Sequence, residues 1–222
     1  MEKIDLENHF YDESLIDALK TRNEPPLCSK DNKLIRWTKT IEMPQDNLLP
    51  ALLESLDESK EKMDKFGITT MVLSSAAGHE LLDVKSSIAV CHKTNRLLYE
   101  ITKKFPGYYL GSAVLPVKDV EAACEELERC VKEYGFVSWH THSNYGDTFP
   151  NDERYRPIFK KAAELGVYGR LLSIRFSDGF SANSSEYLCM YLSTSGSLFR
   201  YGFDIFEIIT PSAILILLSR VK

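Results

Sequence analysis

Apolar and polar positions alternate along the chain with two different periods, that of a strand and that of a helix. Residues 3–8 place Ile4 and Leu6 on one face and Asp5 and Glu7 on the other, which is the period-two pattern of a strand. Residues 14–20 are predicted to form a short helix. Residues 48–65, with leucines at helical spacing, are predicted to form a longer one.

The alternation becomes regular after residue 66. Strands are predicted at 68–73, 108–115 and 136–141, and helices at 84–105, 120–134 and 152–165. Strands alternating with helices of this length indicate βαβ units and a parallel sheet. No glycine-rich nucleotide fingerprint follows a strand, so Rossmann and P-loop sites are unsupported. We expect a parallel barrel, with an open sheet as the alternative.

Two segments depart from this rhythm. Residues 21–49 are rich in proline, asparagine and charge, with one strand-like piece at 37–42. A long irregular segment of this kind is usually functional or disordered, and we expect it to cover the barrel mouth or to form an oligomer contact. Beyond Val167 the periodicity is lost. With no repeat and no second domain visible, residues 1–222 are interpreted as a single partial barrel domain.

Charge and cysteine content narrow the class of protein. The net charge of −5 argues against a nucleic-acid partner, which usually requires a basic patch. Five cysteines without a CxxC pair suit reduced thiols. The beginning of the sequence lacks the pattern of a signal peptide. The apolar run 205–218 is broken by Glu207 and Pro211, so we expect no membrane span and a cytoplasmic protein.

Glu7 and His9 are the first candidates for chemistry. They are two residues apart on a predicted strand, so their side chains point the same way. In a barrel this places both near the carboxyl end of the first strand, where barrel active sites lie. A carboxylate beside an imidazole is half of a divalent-metal site. Spacing alone favours the simpler interpretation of two polar residues at a strand end.

Other histidines offer weaker signals. His140 and His142 form a second same-face pair, but a turn-like sequence follows, so they are interpreted as metal ligands or as groups that bond locally or touch substrate. His79 follows a predicted strand and is interpreted either as a group at the catalytic rim or as an exposed loop residue. His92, in mid-helix, is expected to be structural. No Gly-x-Ser-x-Gly elbow or Cys–His signature occurs, which leaves metal-assisted chemistry.

Several segments together resemble a known family. They are residues 4–10 (IDLENHF), 111–116 (GSAVLP), 122–130 (AACEELERC), 134–137 (YGFV), 141–144 (THSN) and 152–159 (DERYRPIF). Over residues 3–167 the chain is similar to the amidohydrolase-related, metal-dependent decarboxylases. Residues 168–222 match the family poorly.

This resemblance implies a (β/α)₈ TIM-type barrel with one divalent metal, commonly zinc, held in part by Glu7 and His9. It implies non-oxidative decarboxylation of an aromatic or unsaturated carboxylic acid, a small-molecule partner, and a homo-oligomer if the full-length barrel is made. The metal would polarise substrate oxygens, and an acid would protonate the ring carbon that loses CO₂. His142 and His79 are the candidates for substrate contact.

The chain also departs from the family pattern. A strand-end His-Pro expected just after Gly166 is absent, although one possible coding of residues 169–175 would give Pro-Ser-Phe-Ile-His-Pro if read two bases later. We therefore expect a chain that is frame-shifted or truncated after about residue 167, with about five or six of the eight strand–helix units. Such a chain could be inactive. A hydrolase of the same superfamily and a non-catalytic barrel remnant are the alternatives, and DNA sequence across codons 165–180 tests the frame shift.

Overall fold

A parallel five-stranded sheet with helices packed against it forms the main body of the molecule. The computed structural model describes residues 3–32, 34–36, 42–44, 56–76, 78–142 and 145–172, with the side chains of residues 7, 42–44 and 170–172 left undescribed. The strand order is β1–β5–β6–β7–β8, and every neighbouring pair is parallel. The strands are β1 (Ile4–Phe10), β5 (Thr70–Ser75), β6 (Tyr109–Ala113), β7 (Ser138–His142) and β8 (Tyr168–Leu172).

Helices alternate with these strands. They are α1 (Glu13–Lys20), α2 (Leu56–Phe66), α3 (Val84–Lys104), α4 (Val120–Lys132) and α5 (Arg156–Glu164), with 3₁₀ turns at His79–Leu81 and Glu153–Tyr155. Three of them begin at an aspartate, since Asp12, Asp83 and Asp119 accept hydrogen bonds from backbone N–H groups of the first turns of α1, α3 and α4. These caps satisfy donors that the helix itself leaves unpaired.

The predicted fold class is confirmed. Five parallel strands with intervening helices make an incomplete (β/α)₈ barrel of TIM type. The strands begin one or two residues later than predicted, β6 also ends two residues earlier, and β8 was not predicted as an element. Of the predicted helix 48–65, residues 48–55 lie outside the described residues, and α2 accounts for the remainder.

Strand β1 carries one extra residue relative to its neighbour. Asp5 pairs with Met71 and Asn8 with Leu73, so three steps along β1 match two along β5. This bulge interrupts the strict alternation predicted for residues 3–8. Beyond it the register is regular, and His9 lies opposite Ser74.

Close backbone approach explains one glycine in β8. A Cβ added at Gly169 would lie 2.2 Å from Trp139 Nε1, so the indole of β7 can lie against the backbone of β8 only because the residue is glycine. Trp139 is 1% exposed and stacks edge-on against Phe159 of α5. The pairing of β7 with β8 is thus supported by side-chain packing.

The core divides into two clusters. The larger one lies between the sheet and its helices and includes Leu73, Leu98, Leu127, Trp139 and Ile158. The second packs α1 against α3 and a small antiparallel sheet. Among the described helices none is long and apolar enough to cross a membrane.

The irregular segment predicted at 21–49 contains that small sheet. Strands β2 (Leu27–Cys28), β3 (Leu34–Arg36) and β4 (Glu42–Pro44) pair antiparallel in the order β2–β3–β4. Part of the segment is therefore regular, and its expected place over the barrel mouth or at an oligomer contact stays a prediction. Residues 37–41 of the strand-like piece lie outside the described residues, and its last residue, Glu42, begins β4.

Candidate active site

Polar side chains gather at the carboxyl ends of the parallel strands, which is where barrel enzymes carry their active sites. Strand β1 contributes His9, and β7 contributes His140 and His142. The loops after β5 and β6 complete a small pocket. It is lined by His79, Glu80, Val114, Leu115, Val117, His140, Thr141, His142 and Tyr145.

His9 lies near the end of β1 with its ring directed at neighbouring polar groups. Its Nδ1 lies 3.0 Å from Ser74 Oγ on β5. The Ser74 hydroxyl itself donates to the Asn8 carbonyl at 3.4 Å. The His9 ring centroid is 4.7 Å from that of His140. The side chain of Glu7 lies outside the described residues, so its predicted pairing with His9 stays a prediction.

His140 and His142 are buried in strand β7, at 4% and 3% exposure. Their ring centroids are 4.9 Å apart and the rings are nearly perpendicular. Strand β7 runs one residue beyond its predicted end at 141, so His142 lies within the strand, paired with Leu172 of β8. Beside the two rings, the Tyr145 hydroxyl is hydrogen-bonded to Thr141, and burial raises the pKa of this phenol.

His79 is also buried, at 2% exposure. The interpretation as an exposed loop histidine was wrong, because the 3₁₀ turn directs the residue inward, against α3. Its Nε2 lies 3.3 Å from Thr94 Oγ1, which in turn donates to Asp12 Oδ2 at 2.7 Å. Burial lowers the pKa of His79, which favours the neutral imidazole at pH 7.

Glu80 is the residue that the sequence interpretation missed. Its Oε1 lies 3.3 Å from His142 Nδ1, and its Oε2 accepts from the Gly78 N–H at 3.3 Å. Burial by itself raises the pKa of this carboxyl, but attraction to His142 and the hydrogen bond with it outweigh burial and lower the pKa. The available signal was a carboxylate next to a histidine just after a strand, which is too common to single out.

Two cations fix the turn that carries Glu80. Arg22 Nη1 donates to the Leu81 carbonyl at 2.7 Å, and its other nitrogens bind carbonyls of residues 24–26. Lys118 Nζ donates to the carbonyls of Leu81 and Leu82 at 3.2 and 2.7 Å. Gly78 begins the turn at φ 138°, and a Cβ there would lie 3.3 Å from Leu15 Cδ1. The turn is therefore held by Arg22, which lies between α1 and the small sheet, and by Lys118 in the loop after β6.

The donor types fit a divalent metal. Metal-bound histidines usually donate their second ring N–H to a neighbouring acceptor, and Ser74 is placed to receive such a bond from His9 Nδ1, which would make Nε2 the coordinating atom. A carboxylate two residues earlier in β1 is the companion that zinc and manganese accept. Within the described side chains, which do not include that of Glu7, no group of three His, Cys, Asp or Glu residues could hold a metal.

Comparison with known proteins identifies relatives of one kind. A family model described as amidohydrolase matches residues 4–176. A γ-resorcylate decarboxylase of Rhizobium sp. is 35% identical over 124 residues, covering 52% of this chain and 38% of that protein.

Solved structures agree in fold. A 2,6-dihydroxybenzoate decarboxylase from Rhizobium has a TM-score of 0.61 at 27% identity, covering 77% of this chain and 49% of that one. A dihydroxybenzoic acid decarboxylase from Polaromonas sp., with bound manganese and the inhibitor 2-nitroresorcinol, has a TM-score of 0.62 at 29% identity, covering 78% and 50%. The chain thus spans less than two fifths of the Rhizobium sp. sequence relative and about half of these structures.

Proposed function

The chain belongs to the amidohydrolase family, and on that premise we propose that it carries residues of a metal-dependent decarboxylase site for a hydroxylated aromatic acid. The observation behind the proposal is the set of imidazoles from His9, His140 and His142 at the carboxyl ends of the strands. The relatives named above carry out one reaction, the decarboxylation of dihydroxybenzoates.

The reaction exchanges a carboxylate for a proton. The bond between the ring carbon and the carboxylate carbon breaks, CO₂ leaves, and the electron pair left on the ring carbon takes up H⁺. An enzyme must hold the carboxylate in place, keep bulk water from the ring and deliver that proton. Buried polar groups in an otherwise apolar pocket meet the first two requirements.

Individual residues are assigned to these tasks. Glu7 and His9 would hold one divalent ion, manganese or zinc, which when bound supplies positive charge against the oxygens of the substrate. His142 and His79 line the pocket and are proposed to contact the substrate. Neutral His79 can offer either a donor or an acceptor, and its bond to Thr94 fixes the ring orientation.

The test is product analysis on the purified chain loaded with Mn²⁺ or Zn²⁺. With 2,6-dihydroxybenzoate we expect release of CO₂ and formation of 1,3-dihydroxybenzene in equal amounts, and no reaction after treatment with a chelator. The matched variant is His9→Ala, which should lose turnover, and the matched control is His92→Ala, which alters a half-exposed histidine on α3.

Two results would contradict the proposal. One is hydrolysis of an ester or lactone without any CO₂ release, which would identify the hydrolase alternative. The other is a folded, metal-loaded chain that neither binds nor converts the acid, which would identify a non-catalytic remnant. Comparing Mn²⁺ with Zn²⁺ in the same assay determines which ion supports turnover.

A further inference from the structure

We propose that Glu80 is a positioning residue that holds the Nδ1 side of the His142 ring and so directs Nε2 toward the substrate. This inference rests on the proposed function, because it describes how one residue of that site is oriented. It gives a role to a buried carboxylate that the reaction itself does not require.

The contact is buried. Glu80 Oε1 lies 3.3 Å from His142 Nδ1, and the two residues are 4% and 3% exposed. A buried carboxylate is costly unless it is paired. The groups that interact electrostatically with Glu80 include the imidazoles of His142 and His79, the cations Arg22 and Lys118, and the phenols Tyr11 and Tyr145. Of these groups, His142 has its ring nitrogen 3.3 Å from the carboxylate.

The carboxylate is fixed before any substrate arrives. Its second oxygen accepts from Gly78 N, and Ser87 Oγ donates to the His79 carbonyl at 2.8 Å, which ties the turn to α3. Arg22 donates to the carbonyl of Leu81, and Lys118 donates to the carbonyl of Leu82. A residue restrained on so many sides can impose an orientation on its partner, whereas a flexible one would adapt to it.

The chemical consequence concerns the tautomer. An ionised carboxylate can only accept, so its 3.3 Å approach favours a proton on Nδ1 over a lone pair that faces Oε1. In the neutral ring Nε2 is then an acceptor, and in the charged ring it is a donor. In both states the atom that meets the substrate is defined by Glu80, as in catalytic His–carboxylate pairs, where the carboxylate fixes the tautomer.

The fold supplies a matched control. Glu126 is 1% exposed and also lies beside a histidine, with its Oε2 3.0 Å from His92 Nε2. That pair lies between α3 and α4, it does not line the pocket, and His92 is 47% exposed. Glu126→Gln therefore perturbs a His–Glu pair whose carboxylate is buried but which does not line the pocket; its link to the site runs through Asn95, which also binds Val114.

The experiment reads the ring nitrogens of His142 by NMR in the metal-free or zinc-loaded chain, with His142→Gln used to assign its signals. We expect Nδ1 to be protonated in the unaltered chain. The population of the Nε2-protonated form should rise in Glu80→Gln and more in Glu80→Leu, and Glu126→Gln should leave His142 unchanged. An Nε2-protonated His142 in the unaltered chain, or signals that stay the same in folded Glu80→Gln and Glu80→Leu, would overturn the inference.

Turnover gives a second, separate readout. With 2,6-dihydroxybenzoate, Glu80→Gln should lower kcat by roughly 100-fold, within the range of one acid–base group, with little change in KM, and Glu80→Asp should recover part of the loss. An equal loss in Glu126→Gln would contradict the positioning role. If the chain does not convert this acid at all, the proposed function fails, whereas the NMR result still decides the role of Glu80.

Discussion

At the residue scale, His9 combines the features expected of a metal ligand. It lies beyond the β1 bulge, opposite Ser74, and its Nδ1 is within hydrogen-bonding distance of the Ser74 hydroxyl. A hydroxyl in that place fixes the orientation of the ring, so that Nε2 would be the nitrogen that binds the proposed ion.

We therefore predict that His9→Ala lowers the affinity for Mn²⁺ or Zn²⁺ more than Ser74→Ala does. Ser74→Ala should weaken binding by roughly 10- to 100-fold, as the loss of an outer-shell partner does. His9→Ala should leave no stoichiometric ion. Metal content after dialysis and a calorimetric titration measure both effects.

His92→Ala is the control for the loss of any histidine, and it should bind the ion like the unaltered chain. Full metal occupancy in folded His9→Ala would show that His9 is not a ligand.

The sequence was informative about some of these residues and silent about others. The Glu7-x-His9 pair is visible because both residues lie on one short strand. The Glu80–His142 contact joins residues 62 positions apart, and nothing in local spacing predicts which loop carboxylate meets which strand histidine. The burial of His79 depends likewise on Thr94, in a different helix.

At the element scale, one buried amide links α3 to the residue after β6 and to α4. Asn95 Nδ2 donates to the Val114 carbonyl and to Glu126 Oε1 at 2.8 and 2.7 Å, and its Oδ1 accepts from the Val114 N–H at 2.9 Å. The residue is fully buried. Asn95 thus forms hydrogen bonds with both the N–H and the C=O of Val114, which lines the pocket.

Asn95→Ala should destabilise the chain by about 2–4 kcal/mol, because it leaves a backbone N–H, a backbone C=O and part of a buried carboxylate without this partner. Urea denaturation followed by circular dichroism measures the free energy of unfolding. Arg96→Ala, one position along on the exposed side of the same helix, removes surface contacts with Glu100, Tyr99 and Tyr134 and should change stability by only about 0.5 kcal/mol. Equal effects of the two changes would contradict the bridging role.

Long elements were predictable and short ones were not. The helices α3 and α4 and the strand β6 between them were predicted to within about two residues, because each has a full period of buried positions. Strands β2 and β3 have two and three residues, which is too short for any period to appear. Strand β8 was missed because its fit depends on Gly169 against Trp139, a contact that only the folded sheet creates.

At the scale of the whole molecule, the described sheet has two outer strands. β1 and β8 each have one described neighbour, and Ile4 and Leu6 of β1 are 40% and 43% exposed. An outer strand with exposed apolar side chains favours pairing with another chain. The incomplete barrel is therefore expected to associate with other chains through its outer strands.

Ile4→Lys should therefore reduce concentration-dependent association of the isolated chain, because a lysine on an outer strand opposes edge-to-edge pairing. Light scattering over a range of protein concentrations measures the effect. Leu97→Lys changes an equally exposed residue, at 43%, on a helix. It should leave association unchanged, and a similar reduction in both variants would point to net charge as the cause.

Arg22 links parts of the molecule that are far apart in sequence. Its guanidinium donates to the carbonyls of Glu24, Pro25 and Pro26, just before β2, and to the carbonyl of Leu81, 59 residues after Arg22. The small antiparallel sheet and the turn bearing His79 and Glu80 therefore share one anchor. We therefore expect the small sheet and this turn to unfold locally as one cooperative unit. A change that destabilises the small sheet should then also displace the residues of the pocket, although no residue of β2 or β3 lines it.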